Sequence, residues 1–172
     1  MVGYRRNKPE NPDAAYFLTM ATAQRDPWFS TPTDQELALR VMGRIRDRFK
    51  LKFMAWAILP DHIHWLISPG QEDYSKIVFA FKRGVGAEFK KISLLSEGGR
   101  IWQHRFWEHT IMDDSDYQQC VEYIHYNPVK HSLVKAPMDW QYSSFRKYVA
   151  RGIYPADWAD GVSIDIPGSE YD

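Results

Sequence analysis

KFMAWAILPDHIHWLIS, residues 52–68, is the stretch on which the fold turns. Two runs rich in apolar, aromatic and β-branched side chains, 52–59 and 62–68, flank Pro60-Asp61, a pair that bends the chain instead of extending either run. A turn this short joins antiparallel neighbours, so the segment reads as a hairpin. Upstream, Leu37, Val41, Ile45 and Phe49 recur at helical spacing to about Lys50, with Thr33 as the expected cap and Glu36 as its capping-box partner. Before that helix, residues 15–23 (AYFLTMATA) form a β-prone run. Downstream, Pro69-Gly70 ends the hairpin, and residues 74–92 read as a second, basic amphipathic helix weakened by Gly84 and Gly86. Residues 102–111 (WQHRFWEHTI) contain a last strand, in their second half. Asp114 or Ser115 opens a third helix that Pro128 is expected to stop. Residues 137–151 read as a loop and a short basic helix. The order β-α-β-β-α-β places the chain in the α+β class: a ferredoxin-like split βαβ with an antiparallel sheet and helices on one face, followed by a C-terminal helix. The expected division is residues 1–152 as the domain, opening on a basic N-terminal arm, and 153–172 as an acidic tail.

Composition narrows the function classes. The chain has 172 residues, enough for one domain with a sizeable core, and 26% charged with 44% hydrophobic residues excludes wholesale disorder. A single cysteine, Cys120, excludes a disulfide framework and a cysteine-rich zinc module and fits a reducing cytoplasm, the expected location. No apolar run approaches the roughly 20 residues of a membrane span, and no membrane partner is expected. The net charge is zero, yet the charges fall in blocks: +4 over 1–52, −3 over 53–75, +5 over 76–105, −5 over 106–126, +4 over 127–152 and −5 over 153–172. Such segregation can build a basic face and an acidic pocket on one neutral molecule, although each block also reads as a solvated helix face.

His62 and His64 carry the first chemical signal. On a strand, side chains two apart emerge on one side, so both imidazoles share a face and Ile63 enters the other. Paired imidazoles suit a divalent cation; the alternative is two half-exposed strand histidines. In EYIHYNP, Tyr123 and Asn127 stand at i, i+4 on one helical face. Asn127 offers a carbonyl oxygen as a third ligand, and Tyr123 a nucleophile toward a metal-bound phosphate. The competing reading has Tyr123 and Tyr126 packing the helix on the sheet while Asn127 ends it. No general base for the tyrosine is evident, since His125 points off the Tyr123 face. Glu108 is a further acidic candidate near the metal, and His131 is assigned no role.

LPDHIHWLI, WQHRFWEHTI and VEYIHYNPVKHSLV, in that order, resemble the REP-associated tyrosine transposases, domesticated relatives of the single-tyrosine HUH transposases of the IS200/IS605 type. The resemblance covers roughly residues 4–158. It implies that His62 and His64 are the HUH pair binding Mg²⁺ or Mn²⁺, with Asn127 completing the site. It implies that Tyr123 attacks single-stranded DNA, leaving a 5′-phosphotyrosine link and a free 3′-OH. The implied partner is DNA carrying REP-type palindromic hairpins, and the implied activity is a site-specific endonuclease and strand transferase that needs no ATP. Lys82, Arg83, Lys90 and Lys91 on the second helix are expected to contact the DNA backbone, as is Lys76. Tyr4, Arg5 and Arg6 of the arm are expected to read unpaired bases. Members of this group are often single subunits, so a monomer is expected over a dimer. The rival readings are a catalytically silent REP-hairpin binder on the same fold, a replication-type nickase, and a hydrolase of small phosphates. The acidic tail is expected to compete with DNA for a basic cleft or else to solubilise the chain.

Overall fold

The computed structural model describes residues 13–92 and 99–159. Its elements run β1 (Tyr16–Ala21), α1 (Pro32–Phe49), β2 (Lys52–Ile58), β3 (His62–Ser68), α2 (Tyr74–Lys91), β4 (Trp107–Thr110), α3 (Asp114–Lys130) and α4 (Phe145–Ala150), with 3₁₀ turns at Ala23–Arg25 and Pro137–Asp139. Among the described residues the four strands make one sheet in the order β2-β3-β1-β4, every neighbour antiparallel. This is the split βαβ arrangement expected of the sequence. Pro60-Asp61 is a two-residue connection, closed by Leu59 N–H donating to the His62 carbonyl at 2.9 Å. The arm residues Tyr4, Arg5 and Arg6, and the tail from residue 160, lie outside the described residues.

Alternation along the strands divides the interior into two cores. Leu18, Met20, Ile58, Ile63, Trp65 and Ile67 face α1 and α2, the helices expected on one face. Phe17, Ala55, Ala57, Leu59 and Leu66 face the other way, against Val121 and Ile124 of α3 and Phe145 and Tyr148 of α4. Both sheet faces are therefore covered, and the second cover carries the candidate chemistry. Tyr154 and Trp158, assigned to the tail by the sequence, stack on Phe145 at 5.8 Å each, so the chain is still packed at that point.

Three local expectations are corrected. The cap of α1 is Thr31, not Thr33: its hydroxyl accepts from Asp34 N–H while Asp34 accepts from Thr31 N–H. Pro32 then takes the first helical position, where its missing N–H has no intrahelical partner to lose. Pro128 does not stop α3, which runs on to Lys130. Its ring removes one N–H within the last turn, and the end closes through His131 N–H to the Asn127 carbonyl at 3.0 Å and Leu133 N–H to the Pro128 carbonyl at 2.9 Å. Glu108 pairs with Leu18 on β1, so it faces the α1/α2 side, away from His62 and His64.

Candidate active site

Strand β3 sends Ile63, Trp65 and Ile67 into the first core and His62 and His64 towards α3. Both imidazoles are fully buried, their rings 4.7 Å apart. Helix α3 presents Tyr123 and Asn127 from one face to this pair. The Tyr123 ring lies edge-on to His64 at 5.4 Å and to Phe17 at 5.8 Å. His62 Nε2 is 3.2 Å from Asn127 Oδ1. Four of the sequence candidates, separated by up to 65 positions, thus occupy one contiguous site.

Residues that were not singled out hold them there. Asp61 accepts a hydrogen bond from His62 Nδ1 at 2.7 Å. The Asp61 backbone is itself fixed, its carbonyl accepting from Thr22 N–H at 2.8 Å and from the Thr22 hydroxyl at 2.9 Å. Burial pushes the Asp61 carboxyl up, but the His62 hydrogen bond and the charges of His62 and Arg25 together hold it below the usual carboxylate range. Across the sheet, the Thr19 hydroxyl lies 2.9 Å from His64 Nδ1, so Nε2 is the nitrogen of that ring that could hold a metal. A carboxylate or hydroxyl on the far nitrogen fixes the tautomer and orientation of a metal-binding histidine.

The donor chemistry fits a divalent cation. With its Nδ1 proton directed at Asp61, a neutral His62 presents a lone pair at Nε2, facing a carbonyl oxygen that also has only lone pairs to offer. Two acceptors 3.2 Å apart match neighbouring ligands of one octahedral ion, which with bonds of about 2.1 Å are separated by about 3 Å. The Asn127 amide, so oriented, leaves its buried Nδ2 without a hydrogen-bond partner among the described residues. Tyr123 has its own neighbour. Lys130, two turns on along α3, donates from Nζ to the Tyr123 hydroxyl at 3.1 Å, and its ammonium sits 4.8 Å from the ring centre. His131, at the α3 C-cap, brings a third imidazole to 5.0 Å from His62.

The basic candidates on α2 lie elsewhere. Helix α2 covers the opposite sheet face, so Lys82, Arg83, Lys90 and Lys91 do not meet the histidines. Lys82 donates to the carbonyls of Gln103 and Arg105 at 3.1 and 3.4 Å, and burial pulls its ammonium down to about 8. Lys91 reaches Glu88, while Arg83 and Lys90 line a cleft with Arg100 and Trp102. That cleft adjoins another lined by Gln24, Arg100, Gln103 and His104. Both open at the end of the sheet where Thr22 bridges Trp102 and where His62 begins β3. Gln24 and Arg25, beside Asp61, hold left-handed backbone (φ 56° and 59°), a conformation non-glycine residues rarely adopt. Among the described residues, no helix is long and apolar enough to cross a membrane.

His125 is buried, with Nε2 2.8 Å from the Ser144 hydroxyl and Tyr148 at 4.7 Å. The sequence carried a faint signal for Asp61, which immediately precedes the histidine pair. It carried none for Thr19, whose role follows from strand register alone.

Known proteins agree with this arrangement. Residues 11–127 match the family described as transposase, IS200 like. A REP-associated tyrosine transposase of Escherichia coli strain K12 is 38% identical over 150 residues, covering 86% of each chain. A putative REP-associated tyrosine transposase of Haemophilus influenzae is 35% identical, over 98% of this chain and 99% of the relative. A solved structure of a REP-associated tyrosine transposase bound to a REP hairpin superposes with a TM-score of 0.78 at 32% identity, covering 96% of each chain. With the HUH-type histidine pair and the helix-borne tyrosine on one face of a split βαβ sheet, the chain belongs to the IS200-like transposase family, as a REP-associated tyrosine transposase.

Proposed function

We propose that this transposase is a metal-dependent, site-specific single-stranded DNA endonuclease and strand transferase acting at REP-type hairpins, with Tyr123 as its nucleophile. The observation that carries this reading is the packing of Tyr123 on His64, beside a His62–Asn127 donor pair spaced for one cation. His62, His64 and Asn127 would hold Mg²⁺ or Mn²⁺, which when bound supplies charge to the phosphoryl oxygens. The Tyr123 oxygen attacks phosphorus, the bond to the 3′ oxygen breaks, and the products are a 5′-phosphotyrosine link and a 3′-OH. Reversal of the same step rejoins strands, and the covalent link conserves the energy of the broken bond.

Lys130 supplies what the sequence lacked. The Lys130 ammonium donates to the Tyr123 hydroxyl, and its charge would stabilise negative charge that develops on that oxygen. Tyr123 is only 2% exposed while Lys130 is exposed. A phosphate that reaches the Tyr123 oxygen would therefore meet the Lys130 charge. Arg83, Lys90 and Arg100 offer the DNA backbone a path along their cleft to the His62 end of the sheet.

The test is a denaturing gel with labelled single-stranded REP hairpins carrying short flanks, with and without Mn²⁺. A covalent protein–DNA band that requires metal, survives Tyr126→Phe, and is lost in Tyr123→Phe and His64→Ala is the expected result. Hairpin binding on native gels with no covalent band under any metal would make the chain a silent binder instead.

A further inference from the structure

A second group of ligand-type side chains lies on the same face of α3, nearer the start of the helix, at the edge of the sheet. His109 of β4 pairs with Phe17 of β1, so its ring lies on the α3 face, stacked on Trp107 at 5.9 Å. Asp116 and Cys120 stand one turn apart on α3, directed at that ring. His109 Nε2 is 2.8 and 2.9 Å from the two Asp116 oxygens, and Cys120 Sγ is 3.7 Å from the nearer one. The three ligand atoms all lie within 4.8 Å of one another. Donors around a tetrahedral ion with bonds of 2.0–2.3 Å are separated by about 3.3–3.7 Å, so shifts of roughly an ångström seat one ion among them.

We propose that His109, Asp116 and Cys120 form a Zn²⁺ site, distinct from the His62–His64–Asn127 site, that pins α3 to the edge strand β4. The thiol decides the metal: a thiolate beside an imidazole and a carboxylate suits zinc, whereas magnesium and manganese disfavour sulfur. Support around the ligands is already in place, since Met112 N–H donates to Asp116 Oδ2 at 2.8 Å and orients the carboxylate. His109 and Asp116 keep about a quarter and a fifth of their side-chain surface, which admits a water as fourth ligand. As the ion binds, the Cys120 thiol releases its proton to solvent, and the proton that His109 Nε2 directs at Asp116 leaves that nitrogen, so the ring ligates as a neutral imidazole protonated at Nδ1. Burial, with the neighbouring Asp116 charge, pushes that thiol up to about 12, so the ion displaces a proton that is present beforehand. Cys120 lies one turn before Tyr123, so the ion fixes the helix that carries the candidate nucleophile.

Cobalt is the probe, because a thiolate bound to Co²⁺ gives a charge-transfer band and Cys120 is the only cysteine in the sequence. Titrating the reduced full-length protein with Co²⁺ should produce that band with tetrahedral visible absorption, and one equivalent of Zn²⁺ should abolish both. The His62→Ala/His64→Ala double variant should keep the signal. Cys120→Ser should lose the band, and His109→Gln, a change at a half-buried position, should weaken Zn²⁺ binding at least tenfold. Zn²⁺ should also raise the Tm of the His62→Ala/His64→Ala variant, and raise it less once His109→Gln is added. Co²⁺ binding without a thiolate band, or a band that disappears with His62 and His64, overturns the proposal.

Discussion

At the scale of single residues, the candidate site divides into side chains that a sequence can declare and side chains that only register reveals. His62 and His64 are legible because strand periodicity is two, and Tyr123 and Asn127 because helix neighbours are four apart. Thr19 is silent in sequence: it reaches His64 only because β1 pairs with β3 in the register Thr19↔His64. Lys130 and His131 are silent for another reason, since Pro128 was expected to end the helix that carries the first and positions the second. Asp61, read as turn chemistry, is the residue with the most measurable consequence. Its carboxylate fixes the His62 proton at Nδ1, and removing such a partner lowers metal affinity by about 10- to 100-fold. Asp61→Asn should therefore weaken Mn²⁺ binding within that range by calorimetry, with the fold intact by circular dichroism. An unchanged affinity would show that His62 is oriented by packing alone.

At the scale of elements, patterning identified every strand and every helix longer than one turn, because the apolar periods of two and 3.6 are long-range averages that survive local errors. Boundaries fared less well. The α1 cap moved two residues because two threonines compete and Pro32 decides between them. The glycines of α2 read as weakness, and the structure assigns one of them a packing role. A Cβ at Gly84 would stand 2.8 Å from Val41 Cγ1 on α1, a branched side chain with little rotamer freedom in a helix. Gly84→Ala gains about 1 kcal/mol of helix propensity but meets an overpacking penalty of about 1–3 kcal/mol, so the net effect should be destabilising. In a Val41→Ala background the clash is absent and the same substitution should stabilise. Urea unfolding of the four proteins in this cycle measures the reversal, and a Gly84→Ala change that stabilises both backgrounds would refute the close-contact explanation.

At the scale of the whole molecule, the topology was legible and the second layer only in part. β-α-β-β-α-β implies two helices over one face, and the pairing of Tyr123 and Asn127 with the histidines requires α3 to lie on the His62–His64 face, but nothing in the α4 segment states which surface it covers. That followed from Phe17, Ala55, Ala57 and Leu66 forming a second apolar face. The buried His125 ties this layer to acid stability. Burial pulls its imidazole down to about 3, far below the roughly 6.5 of an unfolded chain, so acid protonates the unfolded state first. Stability from this residue is complete above about pH 6.5 and declines by about 1.4 kcal/mol per unit as pH falls towards 3. Between pH 7.5 and 5.5 the wild type should lose about 1.4 kcal/mol more than His125→Gln in urea unfolding. Equal losses would mean that His125 takes up its proton within the folded protein.

The segment that leads into α4 runs beside the outer edge of β2, with Ile58 N–H bonded to the Tyr142 carbonyl and Ser144 N–H to the Trp56 carbonyl, both at 2.9 Å. A ribosome delivers β2 and β3 long before it delivers residues 142–144. Until then the nascent hairpin carries both candidate metal ligands, His62 and His64, beside a naked strand edge, open to pairing with any other extended chain. The late strap closes that edge only after α3 has emerged with Tyr123. Newly made copies are thus most prone to aggregate in the interval before they can become cutting enzymes, and C-terminal truncations ending before residue 142 leave them in that condition.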